Sequence, residues 1–405
     1  MNCRHCNKLL SNLFIDLGVA PPSNAYLSNI YNIEPRYPLK IFVCDNCWLV
    51  QTEDFSAAET IFTEDYAYFS SVSKSWVLHA KLFCEKAIKK FNLNRNSFVV
   101  ELASNDGYLL KNFVENSIPC LGVEPTIGTA LEAEKKQINV LKEFFNLNLA
   151  SLIAEKYKKA DLIIANNVIA HVPDINDFIK GMKLLLNNKG TISIEFPHLM
   201  QLIEKIQFDT IYHEHYSYFS LSSIVKIFST FGLKVYDVEK IATHGGSLRI
   251  LSCHSFCDQS VSPNVQKLID EEIQFGITNF DIYQNFQKSV VIVKNDISIF
   301  FKNSKAQKKR IVGYGAAAKG NTLLNYCGIT SNDIEYIVDN AKSKQGKYTP
   351  GSHIPILDPQ IIKETKPDYI IIFPWNIREE IISNNLYIYD WGGKFVFFAP
   401  YVNIL

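Results

Sequence analysis

The chain has 405 residues, 47% hydrophobic and 20% charged, which supplies apolar material for two or three cores and excludes a disordered chain. Lys plus Arg and Asp plus Glu are each 41, and this balance argues against a protein that binds nucleic acid by broad phosphate neutralisation. No apolar run reaches the length of about 18 residues that a membrane span needs, and Met1 to Leu10 carries Cys, Arg, His and Lys where a secretory leader would be apolar. A cytoplasmic protein with no nucleic-acid and no membrane partner is expected.

In chain order, Met1 to about Glu59 is turn-rich, broken at Ala20-Pro21-Pro22-Ser23 and at Tyr37-Pro38, and too short for a sizeable core of its own. Apolar runs at Ser97–Leu102, Cys120–Val123, Asp161–Asn166, Gly190–Phe196 and Ile241–Cys253 then alternate with helical stretches. Strands spaced by helices predict a parallel, doubly wound sheet. Ser260–Lys309 reads as a long helix pair, and a second strand-helix series follows at Arg310–Tyr314, Ile334–Val338, Tyr369–Phe373 and Phe395–Phe398. The expected division is a small domain over 1–65, an α/β domain over 66–257, and a second α/β domain over 258–405 that begins with the helices.

Four of the nine cysteines form two CxxC pairs, Cys3/Cys6 and Cys44/Cys47. A CxxC turn presents two sulfurs to one ion, and two such turns complete a tetrahedral shell for Zn2+. Four thiolates leave no open coordination position, so the ion would be structural. His5 lies inside the first pair, but the four sulfurs suffice without it.

The first strand of the middle region runs into Ala103-Ser104-Asn105-Asp106-Gly107. One glycine stands where a dinucleotide fingerprint has three, so NAD is weakly supported. Small residues still admit a ligand to the backbone, and the acidic Glu124 at the end of the next strand suits the ribose hydroxyls of an adenosine. The third strand ends at Asn166-Asn167, before Ile169-Ala170-His171-Val172-Pro173-Asp174. These stretches resemble the first, second and fourth motifs of class I S-adenosylmethionine (SAM)-dependent methyltransferases. The resemblance implies a Rossmann-like domain that holds SAM with Glu101, Ser104, Asp106, Gly107, Glu124, Pro125, Asn166 and Asn167.

Tyr212-His213-Glu214-His215-Tyr216-Ser217-Tyr218 concentrates titratable and aromatic groups without the HExxH spacing of a zinc protease. In an extended segment His213 and His215 share one side and Glu214 points away, so any pairing is tertiary. Further on come Thr243-His244-Gly245-Gly246-Ser247-Leu248-Arg249 and Gly313-Tyr314-Gly315-Ala316-Ala317-Ala318-Lys319-Gly320-Asn321-Thr322. The glycines and Lys319 of the latter suit a diphosphate, while Asp339-Asn340 at the next strand end leaves NAD open on residues alone. Pro374-Trp375-Asn376 ends a later strand, where a base or sugar could rest.

The ordered set of motifs is similar to the SAM-dependent sugar C-methyltransferases with a four-cysteine N-terminal domain, which act on C3 of nucleotide-linked 4-keto-6-deoxysugars. The resemblance implies His215 as the base that removes the C3 proton, and His171, Tyr212 and Glu214 around the reacting sugar. It also implies Tyr66 or Tyr68 near the methyl and keto groups, with Tyr66 counted as catalytic and Tyr68 as substrate-binding. The nucleotide sugar would be held by His244, Tyr314, Gly315, Lys319, Asn321, Trp375 and Asn376. The chemistry suits these residue types: a ketone acidifies the neighbouring carbon, and an imidazole of near-neutral pKa can take its proton. An O-methyltransferase and a non-catalytic zinc-dependent nucleotide-binding scaffold are the rivals, and a monomer or small homo-oligomer is expected.

Overall fold

The computed structural model describes residues 1–54 and 69–405. Tyr66 and Tyr68 lie outside the described residues. Among the described residues the strands build three sheets.

The first sheet is antiparallel, with β1 (Asn12–Ala20), β2 (Tyr37–Val43), β3 (Val50–Thr52) and β9 (Ser217–Tyr218) in that order. Its last strand comes from far along the chain, directly after the histidine segment. Val50 faces Tyr218 and Gln51 faces Ser217 across this pairing. The turn-rich, cysteine-paired unit is therefore a sheet completed by the strand that follows the histidine segment.

The second sheet has β4 (Val99–Leu102), β5 (Cys120–Val123), β6 (Asn139–Leu141), β7 (Ala160–Asn166), β8 (Leu186–Pro197), β10 (Leu233–Ile241) and β11 (Ser247–His254), in the order β10-β11-β8-β7-β4-β5-β6. Leu162, Ile163, Ile164 and Ala165 of β7 are all fully buried, the signature of a parallel strand covered on both faces. Helices α1 (Lys74–Lys90), α2 (Lys111–Glu115), α3 (Ile127–Glu134), α4 (Leu147–Lys156), α5 (Ile175–Leu185), α6 (Leu199–Glu204) and α7 (Leu221–Thr230) accompany it. The Asp174 side chain caps α5 by accepting from the Asp177 N–H at 2.9 Å, and Ser220 forms a capping box with Ser223 at α7. Ile241–Cys253, expected as a single strand, instead holds the last residue of β10, a reversal and nearly all of β11. The chain reverses at Thr243–Gly245, where Gly245 and Gly246 have φ of +87° and +127°, and β11 runs antiparallel between β10 and β8.

Helices α8 (Pro263–Phe275) and α9 (Phe280–Ala306) are the expected pair. On α9 the buried Tyr283, Phe286, Val290, Val293 and Ile297 recur every three or four residues, making one apolar stripe. Phe14 of β1 stacks on Phe286 with ring centres 4.7 Å apart, so this stripe joins the first sheet to the third. Each such side chain contributes about 1.5–3 kcal/mol on full burial.

The third sheet holds β12 (Ile311–Tyr314), β13 (Ile337–Val338), β14 (Ile356–Leu357), β15 (Tyr369–Ile372), β16 (Lys394–Phe397) and β17 (Asn403–Ile404), in the order β14-β13-β12-β15-β16-β17. It carries α10 (Ala318–Cys327), α11 (Ile361–Thr365) and α12 (Arg378–Asn384). In both large sheets the strand order reverses at the first strand, β4 and β12, and open α/β sheets bind ligands in the crevice beyond the carboxyl end of that strand.

Candidate active site

The four sulfurs of Cys3, Cys6, Cys44 and Cys47 lie within 4.8 Å of one another, and the Cys3–Cys47 and Cys6–Cys44 pairs are 3.5 Å apart. A tetrahedral zinc with sulfurs at about 2.3 Å spaces them about 3.8 Å apart, so the cluster fits that ion. The Gln51 amide donates to the Cys3 Sγ at 3.3 Å. His5 is not a ligand; its Nδ1 lies 2.9 Å from Asn176 Oδ1. Arg4, between the first two cysteines, donates to the carbonyls of Pro173 and Thr52 at 2.9 and 2.8 Å and sits over the Tyr216 ring. The knuckle thus braces both the loop after His171 and the histidine segment.

At the carboxyl ends of β4 and β7 lie buried polar atoms that lack partners among the described residues: Glu101 Oε2, Ser104 Oγ, Asp106 Oδ1, Asn166 Oδ1 and both amide atoms of Asn167. Buried polar groups of this kind are normally hydrogen-bonded, and the set fits the amino acid and ribose parts of SAM. Burial, reinforced by Glu124 and Asp106, pushes the Glu101 carboxyl well above its usual range. Glu124 accepts from the N–H groups of Asn105 and Thr126, both at 2.9 Å, which fixes it at the strand end beside half-buried Pro125. Gly107 serves packing: a Cβ there would meet Ile138 Cδ1 at 2.4 Å. When bound, SAM supplies an electrophilic methyl group.

The histidines converge. The His215 ring lies 4.0 Å from the Tyr212 ring, 4.7 Å from His171 and 5.9 Å from Tyr218. His215 Nδ1 donates to the Thr210 carbonyl at 2.9 Å, and His171 Nδ1 to the Glu214 carbonyl at 2.7 Å. A carbonyl only accepts, so each neutral ring carries its lone pair on Nε2. Burial is the main cause that pushes both imidazoles down, His171 to about 4 and His215 well below its usual value with the charge of His171 adding to the effect. Both are neutral at pH 7. Glu214 points to the other side, where the N–H and side-chain amide of Asn24 donate to Oε1 at 3.1 and 3.2 Å. Its Oε2 has no partner among the described residues, and burial raises its pKa.

The hairpin between β10 and β11 brings His244 to the same cleft. Trp76 contacts it edge-on at 5.1 Å, and burial, with Lys319 next, lowers its pKa to about 4. From the third sheet come Gly315, Lys319, Trp375 and Asn376. The Lys319 ammonium sits 4.3 Å over the Trp375 ring and donates to Asn376 Oδ1 at 2.9 Å. Burial lowers Lys319 to about 8, opposed by Asp209, and it still carries its charge at pH 7. Two residues do not join them. Tyr314 is 7% exposed within the sheet's own apolar cluster. Asn321 is 1% exposed and donates to the Ser23 carbonyl at 2.6 Å. Both are packing and tethering groups here, because the loop's first strand and its helix bury them.

Residues without a sequence signal complete the cleft. Asp209 Oδ2 accepts from the Trp375 indole N–H at 2.6 Å. Tyr26 of the Pro-Pro-Ser-Asn turn donates to the Ala316 carbonyl at 2.5 Å. That turn looked like a breaker in the sequence, and it joins Glu214 to the third sheet.

Family profiles and a curated relative match along most of the chain. Family profiles match a zinc binding domain over residues 3–62, a methyltransferase domain over 77–238 and a C-methyltransferase C-terminal domain over 242–400. The C-methyltransferase NovU of Streptomyces niveus is 33% identical over 367 residues, 91% of this chain and 87% of that one. Among solved structures, magnesium protoporphyrin IX methyltransferase of Synechocystis PCC 6803 with bound SAM is 15% identical, covering 44% of this chain and 79% of that chain with a TM-score of 0.35. A SAM-dependent methyltransferase from Anabaena variabilis is 12% identical, covering 50% and 96% with a TM-score of 0.39. With a four-sulfur zinc site, a SAM crevice and a C-terminal α/β domain that all match, the chain belongs to the C-methyltransferase family and is a SAM-dependent C-methyltransferase.

Proposed function

We propose that the enzyme methylates C3 of a nucleoside-diphosphate 4-keto-6-deoxysugar through an enolate, with His215 as the base. The observation that supports this reading is the His215 ring, tethered at Nδ1 to the Thr210 carbonyl with its lone pair left on Nε2 and set against the Tyr212 and His171 rings. The ketone at C4 acidifies the C3–H bond and His215 Nε2 takes the proton; SAM, when bound, would supply its methyl group to C3 and leave as S-adenosylhomocysteine. The low pKa of His215 keeps the ring in its basic form. An anionic substrate and the developing enolate beside it raise the imidazolium pKa when they are present, which supplies the driving force the isolated ring lacks.

His171 enters this scheme as an acceptor, because its Nδ1 proton is already committed to a carbonyl. A tyrosine hydroxyl, from Tyr212 or from Tyr66, is then the preorganised donor to the enolate oxygen. Tyr68 lies in the same stretch and would line the sugar. Lys319 and the backbone after Gly315 take the diphosphate, with Trp375, Asn376 and His244 lining the path to the sugar. The division into 1–65, 66–257 and 258–405 assigns zinc, SAM and nucleotide sugar to successive parts. Anchoring the nucleotide away from the reacting carbon lets remote binding energy orient it.

Mass spectrometry after incubation with SAM and a panel of 4-keto-6-deoxysugar nucleotides tests the reading, with NMR locating the new methyl group. Gain of one CH2 at C3 is expected. A methyl on oxygen, or on C5 at the other side of the ketone, would contradict it.

A further inference from the structure

Asp209 sits in the short turn Phe208–Thr210, immediately before the residue whose carbonyl anchors His215. It is 1% exposed. One carboxylate oxygen, Oδ2, is taken by the Trp375 indole at 2.6 Å. The other, Oδ1, is buried without a hydrogen-bond partner among the described residues. Trp375 in turn carries the Lys319 ammonium over its ring. Through these contacts Asp209 connects the turn that anchors His215 to the indole that carries Lys319. A buried carboxylate oxygen without a hydrogen-bond partner among the described residues is costly to retain, and an acceptor of this kind is complementary to an O–H donor brought in by a ligand.

We propose that Asp209 sets substrate specificity by accepting the hydroxyl carried on C2 of the sugar ring. The inference rests on the keto-sugar reading above. C2 is the carbon between the diphosphate-bearing C1, assigned to the Lys319 end, and the reacting C3, assigned to His215. A site with a buried acceptor rejects an analogue that lacks the donor more strongly than an apolar pocket rejects an added group, because the acceptor is left unpaired. The enzyme thus favours a sugar that retains this hydroxyl over its 2-deoxy counterpart, and Asp209 is the source of the preference.

The test measures kcat/KM of the wild type, Asp209→Ala and Asp209→Asn on nucleoside-diphosphate 4-keto-6-deoxyglucose and on its 2-deoxy analogue, each as the thymidine and uridine diphosphate. The wild type should favour the hydroxylated sugar by about 10- to 100-fold, the worth of one hydrogen bond to a charged group. Asp209→Ala should remove most of that preference while the Kd for SAM stays within about twofold. Asp209→Asn keeps the shape and an acceptor for Trp375 but puts an uncharged NH2 donor where Oδ1 accepts, so the preference should fall severalfold with the indole contact kept, and this variant carries the test if the alanine variant does not fold. Equal losses on both sugars would assign Asp209 to holding Trp375 alone and overturn the proposal. Wild-type turnover indifferent to the hydroxyl would overturn it while leaving the keto-sugar reading intact. Failure of the wild type to bind or methylate either sugar nucleotide would remove both.

Discussion

Arg249→Met tests how the second sheet holds the hairpin that carries His244. Arg249 of β11 faces Glu195 of β8 and Glu239 of β10 in register. Its guanidinium reaches Glu195 Oε2 at 2.8 Å and Glu239 Oε2 at 3.1 Å. The Glu195 side chain is fully buried, and it also contacts His79 Nε2 at 2.9 Å and accepts from Thr243 Oγ1 at 2.9 Å. Methionine refills the aliphatic volume over Phe83 but leaves the Glu195 carboxylate without its permanent cation. Breaking a buried pair from one side costs about 3–5 kcal/mol, whereas replacing both partners is close to neutral. Urea unfolding should therefore show an unfolding free energy lowered by that amount, read as a lower midpoint at unchanged slope. The double variant Arg249→Met/Glu195→Gln should recover to within about 1.5 kcal/mol, since glutamine can still serve Thr243 and His79. A loss below about 1 kcal/mol in the single variant, or a double variant no better than the single, would refute the reasoning. The pH dependence has a fixed sign. Burial opposes ionisation of Glu195, but His79 and Arg249 outweigh it and hold the pKa below its usual value. The contribution is complete above the unfolded carboxyl value of about 4.3 and is lost as pH falls through the lower folded value. The stability gap between wild type and Glu195→Gln should shrink only on that acid limb.

Three further outcomes are expected. Cys47→Ser should lower bound zinc well below one equivalent by atomic absorption and reduce the thermal midpoint, and a chelator should then have little added effect; retention of a full equivalent would contradict the four-sulfur site. Lys319→Ala should raise the sugar-nucleotide KM more than it lowers kcat, since it removes binding to a remote group; an unchanged KM would remove the diphosphate assignment. Gly245→Ala should cost about 1–3 kcal/mol, because φ is +87° there and the new Cβ would lie 2.4 Å from Trp375 Cη2; unchanged stability and KM would mean the hairpin tip yields without moving Trp375.

Much of the fold was legible because its signals are local. The apolar runs that end at Leu102, Val123 and Asn166 are strands buried on both faces, and two CxxC pairs announce a metal by spacing alone. The strands missed by periodicity are those at sheet edges or in small sheets. Leu233–Ile241 alternates with Lys, Asp and Glu because one face meets water, and Asn139–Leu141 is short and half-exposed. The merging of Ile241–Cys253 into one strand passed over a two-glycine reversal. In the site, residues adjacent in sequence were found together, as with Tyr212 and His215. Residues that meet only through folding were not: Asn24 reaches Glu214 across the chain, and Asp209 earns its position from an indole 166 positions later. Tyr314 and Asn321 stood inside a ligand-like loop, yet strand pleat and helix packing turn their side chains inward.

The most direct measurement follows hydrogen exchange at the acceptor carbon. The purified enzyme is incubated in deuterated water with a 4-keto-6-deoxysugar nucleotide and S-adenosylhomocysteine, and the C3 proton is followed by NMR. The account predicts deuterium at C3 with wild type and its loss in His215→Ala, with SAM affinity nearly unchanged in that variant. Exchange that persists in His215→Ala, or methyl transfer by wild type without any enolisation at the acceptor carbon, would contradict it.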